Sequence, residues 1–578
     1  MMNLNLPAFD FAPDTTPLRR TVWLIFLCAG FILLFLLGRN ALLSGEGDTA
    51  ETLRLLLNHT DIFQVHSQWQ PGNGQVKWFA HLSTLPAAVF GNNEFSCRLL
   101  SVIAALLLLG GTMILAEDFF DWRIMCCGAW MLTGSYGFIY WGRFAGSFML
   151  LAAWGVWSAV LLRNARMHFW WRGLFLTVLL LGGAFWGMHY ILLLPGIFFM
   201  TFTGCRRAVF HWQSLPALLL AAVLAGSLLT AAVSFPGVLP GEYPERVWEL
   251  LKETMAGSWH TAVYPGTSQN IFKGWINWGR LLLPWTLPVV VALAGIIRKY
   301  RELSDEHRRF LLGAVLIFCC TAVYPGRRWE YQLCQLPFFL ILGASGITGT
   351  LGVESWSTVV NMAMKYLMSL LCSLMVAVIV TWPLWQMVFS APPPLWIIFG
   401  VPVLGILGLG LIVFDTGASS AVERVSGISG VWGGYILAGT VLMTAAFSVA
   451  TPALTRYRTG RPFWEKCGEI CRSLPPQEII FFTAAPSAVA RYYMNLPGKF
   501  TAASSPDELV AALDKIPTGD AKIIIRKTDI PLFRQAAGKS WFIEESKPLA
   551  VEARDVDFSG GEPEENSSFI ICRIGRGN

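Results

Sequence analysis

Long apolar runs separated by short polar intervals recur from Thr21 to about Ala450. A helix needs roughly 20 predominantly apolar residues to cross a hydrocarbon core about 30 Å thick. On that scale the pattern predicts spans near 21–38, 98–116, 123–140, 146–162, 173–188, 190–204, 214–234, 277–297, 309–324, 333–350, 363–381, 395–414 and 430–450. Between the first two lies a polar stretch, with a helix expected at 49–58 and a moderately apolar segment at 82–90, too short to span. These two fit a pair of helices lying along the interface. Beyond Thr451 the pattern changes to short β-branched runs alternating with helices. Strands are expected at 478–482, 522–526, 541–544 and 569–574, and helices at 486–494, 507–516 and 530–537. That alternation predicts a small parallel or mixed sheet.

Composition agrees with a polytopic membrane protein. The 578 residues are 54% hydrophobic, with a mean hydropathy of +0.52, and only 14% are charged, against about 25% in soluble domains. The net charge of +6 is no nucleic-acid signal, because the basic residues sit in short clusters between spans. Arg19 and Arg20, Arg163, Arg166 and Arg172, Arg206 and Arg207, and the set from Arg298 to Arg309 all fall on one side when every span is counted. The positive-inside rule makes that side cytoplasmic. The N-terminus is then inside, and the first polar loop faces outward. The 22–37 run is followed by no small-residue cleavage pattern, so it reads as an uncleaved signal anchor. The expected organisation is a cytoplasmic tail at 1–20, a transmembrane domain at 21–450 with outer loops at 40–97, 235–276 and 324–332, and an extracytoplasmic α/β domain at 451–578.

Candidate chemistry sits on the outer loops. Asp48 starts the expected helix, and Glu51, three residues on, shares its face; Glu46 is close by. Asp48 is either a general base for an acceptor hydroxyl or amine or a helix cap. Lys77, where the loop re-enters the apolar slab, is either a phosphate-neutralising cation or a snorkelling lysine. Arg143 lies near the outer end of the third span, against the positive-inside trend, and is a candidate for a phosphate or sugar contact. Arg327, Arg328 and Tyr331 form the densest outer cationic patch. Paired guanidinium groups suit phosphate, while an ion pair with Glu330 or the C-terminal domain is the alternative. His260, beside Trp259, is a metal or acceptor contact or a structural histidine. No ligand motif supports a divalent metal, so the cofactor requirement stays open. Cys467, Cys471 and Cys572 leave room for one disulfide in the C-terminal domain.

Several of these motifs resemble those of the GT-C glycosyltransferases, in particular the bacterial branch near the aminoarabinose lipid A transferases and the protein O-mannosyltransferases. The resemblance rests on Asp48-Thr49 opening the first outer loop, the helix to Asn58 and Lys77-Trp78-Phe79. It rests most closely on Phe90-Gly91-Asn92-Asn93-Glu94-Phe95-Ser96-Cys97-Arg98 leading into the next span. The Pro284-Trp285 pair and the 328–337 segment are similar too. The resemblance implies a GT-C-like fold of about thirteen membrane helices. It also implies sugar transfer from a polyprenyl monophosphate, such as an undecaprenyl carrier, to a lipid, glycan or protein acceptor on the outer face of a bacterial inner membrane. Asp48 would be the catalytic acidic residue, and Lys77 would hold the donor phosphate, with the cations stabilising the leaving group.

The sequence also departs from that pattern. Thr49 replaces the Glu after the first Asp, Trp78 and Phe79 replace two prolines, and Val76 stands where an acid often precedes the lysine. No carboxylate follows Arg143 in 144–148, where the family usually has a second Asp. A catalytically silent homologue that binds lipid-linked sugar or scaffolds a glycan complex is therefore the first rival. A lipid or sugar transporter is the second, weakened by the scarcity of intramembrane charge and of any visible inverted repeat.

Overall fold

The computed structural model describes residues 16–39, 42, 44–57, 74–164, 169–201, 271–322, 329–348, 461–475, 478–482, 488–496, 501–516, 520–538, 541–543, 553–554 and 568–576, with scattered positions in 216–255 and 439–443. The chain forms two compact units. One comprises Met1–Leu37, Phe63–Val89 and Arg98–Ala450; the other comprises Gly38–Ile62, Phe90–Cys97 and Thr451–Asn578. Two pieces of the first polar loop thus belong with the C-terminal domain.

The first unit is helical. α1 (Thr16–Leu34) presents Trp23, Leu27 and Phe31, one turn apart, as exposed apolar side chains. After the loop helix α2 (Ser44–Leu57) come α3 (Gly74–Phe90), α4 (Glu94–Phe119), α5 (Trp122–Thr133), α6 (Tyr136–Gly142), α7 (Phe148–Asn164), α8 (Phe169–Trp186), α9 (Met188–Ile191) and α10 (Leu194–Met200). Further on lie α11 (Ile271–Leu282), α12 (Thr286–Arg298), α13 (Asp305–Ala322) and α14 (Leu336–Ile347). Among the described helices, α4 alone is long and apolar enough to cross a membrane as a single rod. The Trp275–Leu282 part of α11 and α12 form a second candidate, bent by 108° at the break between them. Helices pack closely through small residues. A Cβ on Gly196 would lie 2.7 Å from the Gly313 carbonyl oxygen, and one on Gly313 would lie 2.8 Å from that of Gly196, so α10 and α13 meet backbone to backbone.

Several expected spans are interrupted. The 123–140 run divides into α5 and α6 because Ser135 caps a new start, its hydroxyl accepting from the Phe138 N–H at 3.3 Å. The 190–204 run contains two short helices, α9 and α10, and the 277–297 run breaks at Leu283 and Pro284, where proline has no N–H to offer the ladder. The 82–90 segment is instead the end of the 17-residue α3, which tolerates Pro86 inside it. The 363–381 and 395–414 runs lie outside the described residues, as do most of 214–234 and 430–450.

In the second unit, α15 (Arg461–Cys471), α16 (Ala488–Met494), α17 (Pro506–Leu513) and α18 (Ile530–Ala537) flank a six-stranded mixed sheet. Its strands are β1 (Ile479–Phe482), β2 (Thr501–Ala503), β3 (Asp520–Arg526), β4 (Trp541–Ile543), β5 (Ala553–Arg554) and β6 (Ser568–Arg576), in the order β2-β1-β3-β6-β4, with β5 also on β6. β1 runs parallel to β2 and β3; β6 is antiparallel to β3, β4 and β5. Ile480, Phe482, Leu509, Ile523, Ile525, Phe533 and Ile574 fill the core. The expected strands and helices occur within a few residues of their sequence limits. Cys467, Cys471 and Cys572 are buried thiols, not a disulfide, and burial raises the pKa of Cys471 to about 11.

Candidate functional site

The acidic helix α2 begins at Ser44, not at Asp48. Asp48 therefore sits one turn inside, its carbonyl accepting the Thr52 hydroxyl at 2.6 Å, and the capping reading fails. The two glycines in Ser44-Gly45-Glu46-Gly47 have poor helix propensity, and tertiary packing overrides it. A Cβ on Gly47 would stand 2.6 Å from both the Val489 amide nitrogen and its Cγ2. Only glycine lets α2 lie this close to α16.

Along that contact the charges are paired. Glu51, 4% exposed, accepts from Arg54 Nε at 2.8 Å and Nη2 at 2.9 Å, a bidentate arrangement, and lies 3.7 Å from Arg491 Nε of α16. Asp48 is half-buried one turn before Glu51. Burial raises the Asp48 carboxyl above the ordinary aspartate range, and the Arg491 guanidinium partly opposes the shift. Burial likewise lowers Arg491, against the pull of Glu51 and Asp48. Glu46 is buried in the first turn of the same helix.

A second linkage joins the remaining loop pieces to α15 and α16. The Leu42 N–H donates to the Tyr493 hydroxyl at 2.7 Å, and that hydroxyl donates to Glu94 Oε1 at 3.3 Å. Glu94 also pairs with Arg461 at 2.6 Å, whose guanidinium lies over the Tyr493 ring. The Phe90–Arg98 motif thus has a structural account. Gly91 takes a positive φ of 79°, and Glu94 binds the C-terminal domain. Within the first unit, Arg98 Nη1 donates to the Leu37 carbonyl at 3.0 Å.

In that first unit, Arg143 C-caps α6, and its Nη1 donates to the carbonyls of Ile32 and Phe35 at 2.6 and 2.9 Å. These are carbonyls left over at the end of α1. Among the described residues, the buried Arg143 Nη2 has no hydrogen-bond partner. Tyr331 is buried, stacks on His189 with ring centroids 4.1 Å apart, and meets Phe148 edge-on at 5.6 Å. Phe148 in turn touches Trp141 at 5.1 Å, so an aromatic chain connects the α6 end carrying Arg143 to Tyr331. Nearby, Trp78, Phe79, Leu82, Ser147, Leu150, Phe185 and Trp186 line a narrow, almost wholly apolar cleft. Lys77 lies on α3, one residue before this wall. Its side chain lies outside the described residues, as do His260, Arg327 and Arg328. Among the described residues no group of three or more His, Cys, Asp or Glu is arranged to hold a metal ion.

Sequence reasoning placed Asp48 and Glu51 on one helix with Glu46 just before it; the structure extends that helix back to Ser44, so that all three lie on α2. It missed Arg491, Arg461 and His189. The available signal for Arg491 was a lone cation inside the otherwise apolar and aromatic helix Ala488–Met494.

The structure superposes on ArnT from Cupriavidus metallidurans bound to undecaprenyl phosphate with a TM-score of 0.62 and 14% identity, covering 96% of this chain and 98% of that one. The same protein in its apo state superposes at 0.60, with the same identity and coverage. The chain has the GT-C fold. No family model and no curated protein sequence matches it. The GT-C fold is thus carried here by a sequence that keeps few of the residues of ArnT. Within this fold, α2 offers a half-buried carboxylate that burial shifts upward, with the Arg491 guanidinium opposing the shift.

Proposed function

We propose that this protein transfers a sugar from a polyprenyl monophosphate to an envelope acceptor, at the outer face of a bacterial inner membrane. The observation that carries the reading is the superposition, over nearly the whole of both chains, on an ArnT bound to undecaprenyl phosphate. Exposed apolar residues at one-turn spacing on α1 support contact with lipid, and the apolar cleft walled by Trp78 and Phe185 suits an isoprenoid tail.

In this reading Asp48 takes the acceptor proton or orients the acceptor, while Lys77 is assigned to neutralise the donor phosphate. Arg143, Tyr331, Arg327 and Arg328 are the further candidates on the donor side. A buried cation stabilises the charge that develops on a departing phosphate better than one in water does. The organisation is a multi-pass protein with the N-terminus cytoplasmic and the sheet domain outside. The C-terminal domain does not stand apart from the acidic helix, because Gly38–Ile62 and Phe90–Cys97 group with it.

A second reading has one specific observation behind it. No carboxylate occurs in 144–148, and Arg143 directs its Nη1 at the α1 carbonyls. A protein so built binds a lipid-linked sugar without turning it over. Reconstitution of the purified protein with labelled undecaprenyl-phosphate sugars and extracted envelope acceptors separates the two. Transfer that disappears in Asp48→Asn establishes the enzyme; saturable binding of donor with no product in the wild type establishes the silent homologue. Movement of donor across the bilayer without transfer overturns both.

A further inference from the structure

The seven residues Trp329–Gln335 form a 3-10 helix that leads directly into α14. Runs of that length are uncommon, because the tight winding gives poorer hydrogen bonds, and they often mark a working or strained segment. This one packs against α7, α11 and α13, and every residue from Tyr331 to Gln335 is buried. At three residues per turn, Gln332 and Gln335 eclipse one another on one face, about 6 Å apart along the axis. Gln332 is 2% exposed and Gln335 0%.

Neither amide oxygen has a hydrogen-bond partner among the described residues. The orientation of the Gln335 amide is set by α13. There the Thr321 hydroxyl donates its one proton to the Ile317 carbonyl at 2.8 Å, so towards the amide it can only accept. Gln335 Nε2 accordingly donates to Thr321 Oγ1 at 2.8 Å, and Oε1 is the atom left over. Turning the amide over would set oxygen against oxygen with no proton between them. Leaving a buried acceptor unmade destabilises a fold, and here two such acceptors sit side by side on one helix face.

The chemistry of the pair narrows what can satisfy it. Two amide oxygens repel a phosphate, whose oxygens are acceptors like their own, and they offer nothing to an isoprenoid tail. They match neighbouring hydroxyl groups, each with one proton to donate. Tyr331, one position before Gln332, is stacked on His189 with ring centroids 4.1 Å apart and is already a candidate on the donor side. Phosphate and hydroxyl candidates thus share one short helix.

We propose that Gln332 and Gln335 form a sugar subsite, their amide oxygens accepting from two neighbouring hydroxyls of the sugar that the donor carries. This deepens the transfer reading above and rests on it for the origin of the sugar. The two amides then set which sugar is taken, because a site built to bond a hydroxyl strongly rejects an analogue that lacks it.

The test uses the full-length protein in lipid nanodiscs and two substitutions that keep side-chain length, Gln332→Met and Gln335→Met. Native mass spectrometry reads the affinity for undecaprenyl phosphate and for the same carrier bearing glucose, mannose, galactose or aminoarabinose. The wild type is expected to prefer at least one sugar-bearing carrier over the others. Each substitution is expected to weaken that carrier about tenfold, the worth of one buried hydrogen bond, and to leave the bare carrier unchanged. Neither is expected to lower Tm, since each removes an acceptor that has no protein donor. Equal weakening of bare and sugar-bearing carriers, or a fall in Tm with the preference intact, is the result of a structural role and overturns the proposal. Affinities unchanged in both variants are the result of an ordered water alone and overturn it too. Should Gln335→Met not fold, Gln332→Met decides by the same criteria.

Saturation-transfer NMR with the same four sugars, free of carrier and phosphate, separates this proposal from the one it rests on. A wild type that binds no carrier defeats the proposed function, and the free sugars then judge the subsite alone. A signal present in the wild type and lost in both variants upholds the subsite. A signal absent from the wild type, or equal in all three proteins, overturns it.

Discussion

Two regions of this molecule bury charge in opposite ways. On α2 the carboxylates meet side-chain cations, Arg54 from one turn away and Arg491 from a helix more than 400 positions later in the chain. In the helical unit, Arg143 donates through Nη1 to the backbone carbonyls of Ile32 and Phe35 at the end of α1. A backbone cap fixes a guanidinium in place without neutralising it. A salt bridge neutralises but leaves the charge state open to adjustment by neighbours. The first arrangement suits a group that must stay positive whatever binds, and the second suits a group that must take up and release a proton.

The largest effect expected from disturbing this contrast is at Glu51. Glu51→Ala removes the carboxylate from its buried bidentate pair with Arg54, and breaking such a buried pair typically costs about 3–5 kcal/mol. Chemical denaturation of the full chain, followed by a probe in the sheet domain, should show the loss in that unit. A loss under about 1 kcal/mol, the range of exposed ion pairs, would show that water reaches the α2–α16 contact. Arg143→Gln comes next. It takes donors away from the Ile32 and Phe35 carbonyls, at about 1–3 kcal/mol for groups left unsatisfied, and it removes a cation that the proposed function assigns to the donor. Its thermal unfolding and its affinity for undecaprenyl phosphate are expected to fall together. If donor affinity vanishes while stability is untouched, the cap at α1 is incidental and the comparison fails on that side.

How much of this was legible beforehand follows from the range of the forces involved. The helical character of the apolar runs, the acidic helix and the α/β alternation were readable because they depend on local periodicity. The true start of α2 at Ser44 was not, since Gly45 and Gly47 look like a turn until Val489 is known to pack where a Cβ on Gly47 would come within 2.6 Å of it. The breaks at Ser135 and Pro284 were hidden inside apolar runs that read as continuous. Glu94 was noticed as part of a motif, yet its partners Arg461 and Tyr493 lie far along the chain, and no spacing rule connects them. Arg491 was invisible for the same reason. The site is assembled from non-local pairs, and a single sequence shows only which residues await partners.

Tyr493→Phe tests the second linkage on a smaller scale. It removes one hydroxyl that joins the Leu42 N–H to Glu94 and leaves the ring under Arg461. About 1 kcal/mol of stability is expected to go, measured as a shift in the denaturation midpoint with an unchanged slope. A change in slope would mean instead that the loop pieces have come away from the sheet domain.

The smallest effect is the one whose sign is most informative. Asp48 has a folded-state pKa above its ordinary value because burial disfavours the charged form. A carboxyl raised in this way contributes stability at acid pH that is lost as pH rises through the folded-state pKa, so at neutral pH the ionised group is a net burden. Asp48→Asn removes the ionisation while keeping the shape. It is expected to be more stable than the wild type at pH 7, and the advantage should shrink as the pH falls and disappear below about 4, where aspartate is protonated in the unfolded chain as well. Denaturation curves of both proteins across that range decide the matter. An Asn variant that is less stable at neutral pH would mean that the field of Arg491 more than offsets burial, so that ionised Asp48 stabilises the fold. An Asn variant that is more stable, yet inactive in transfer, is what a carboxylate retained for chemistry at the expense of folding looks like.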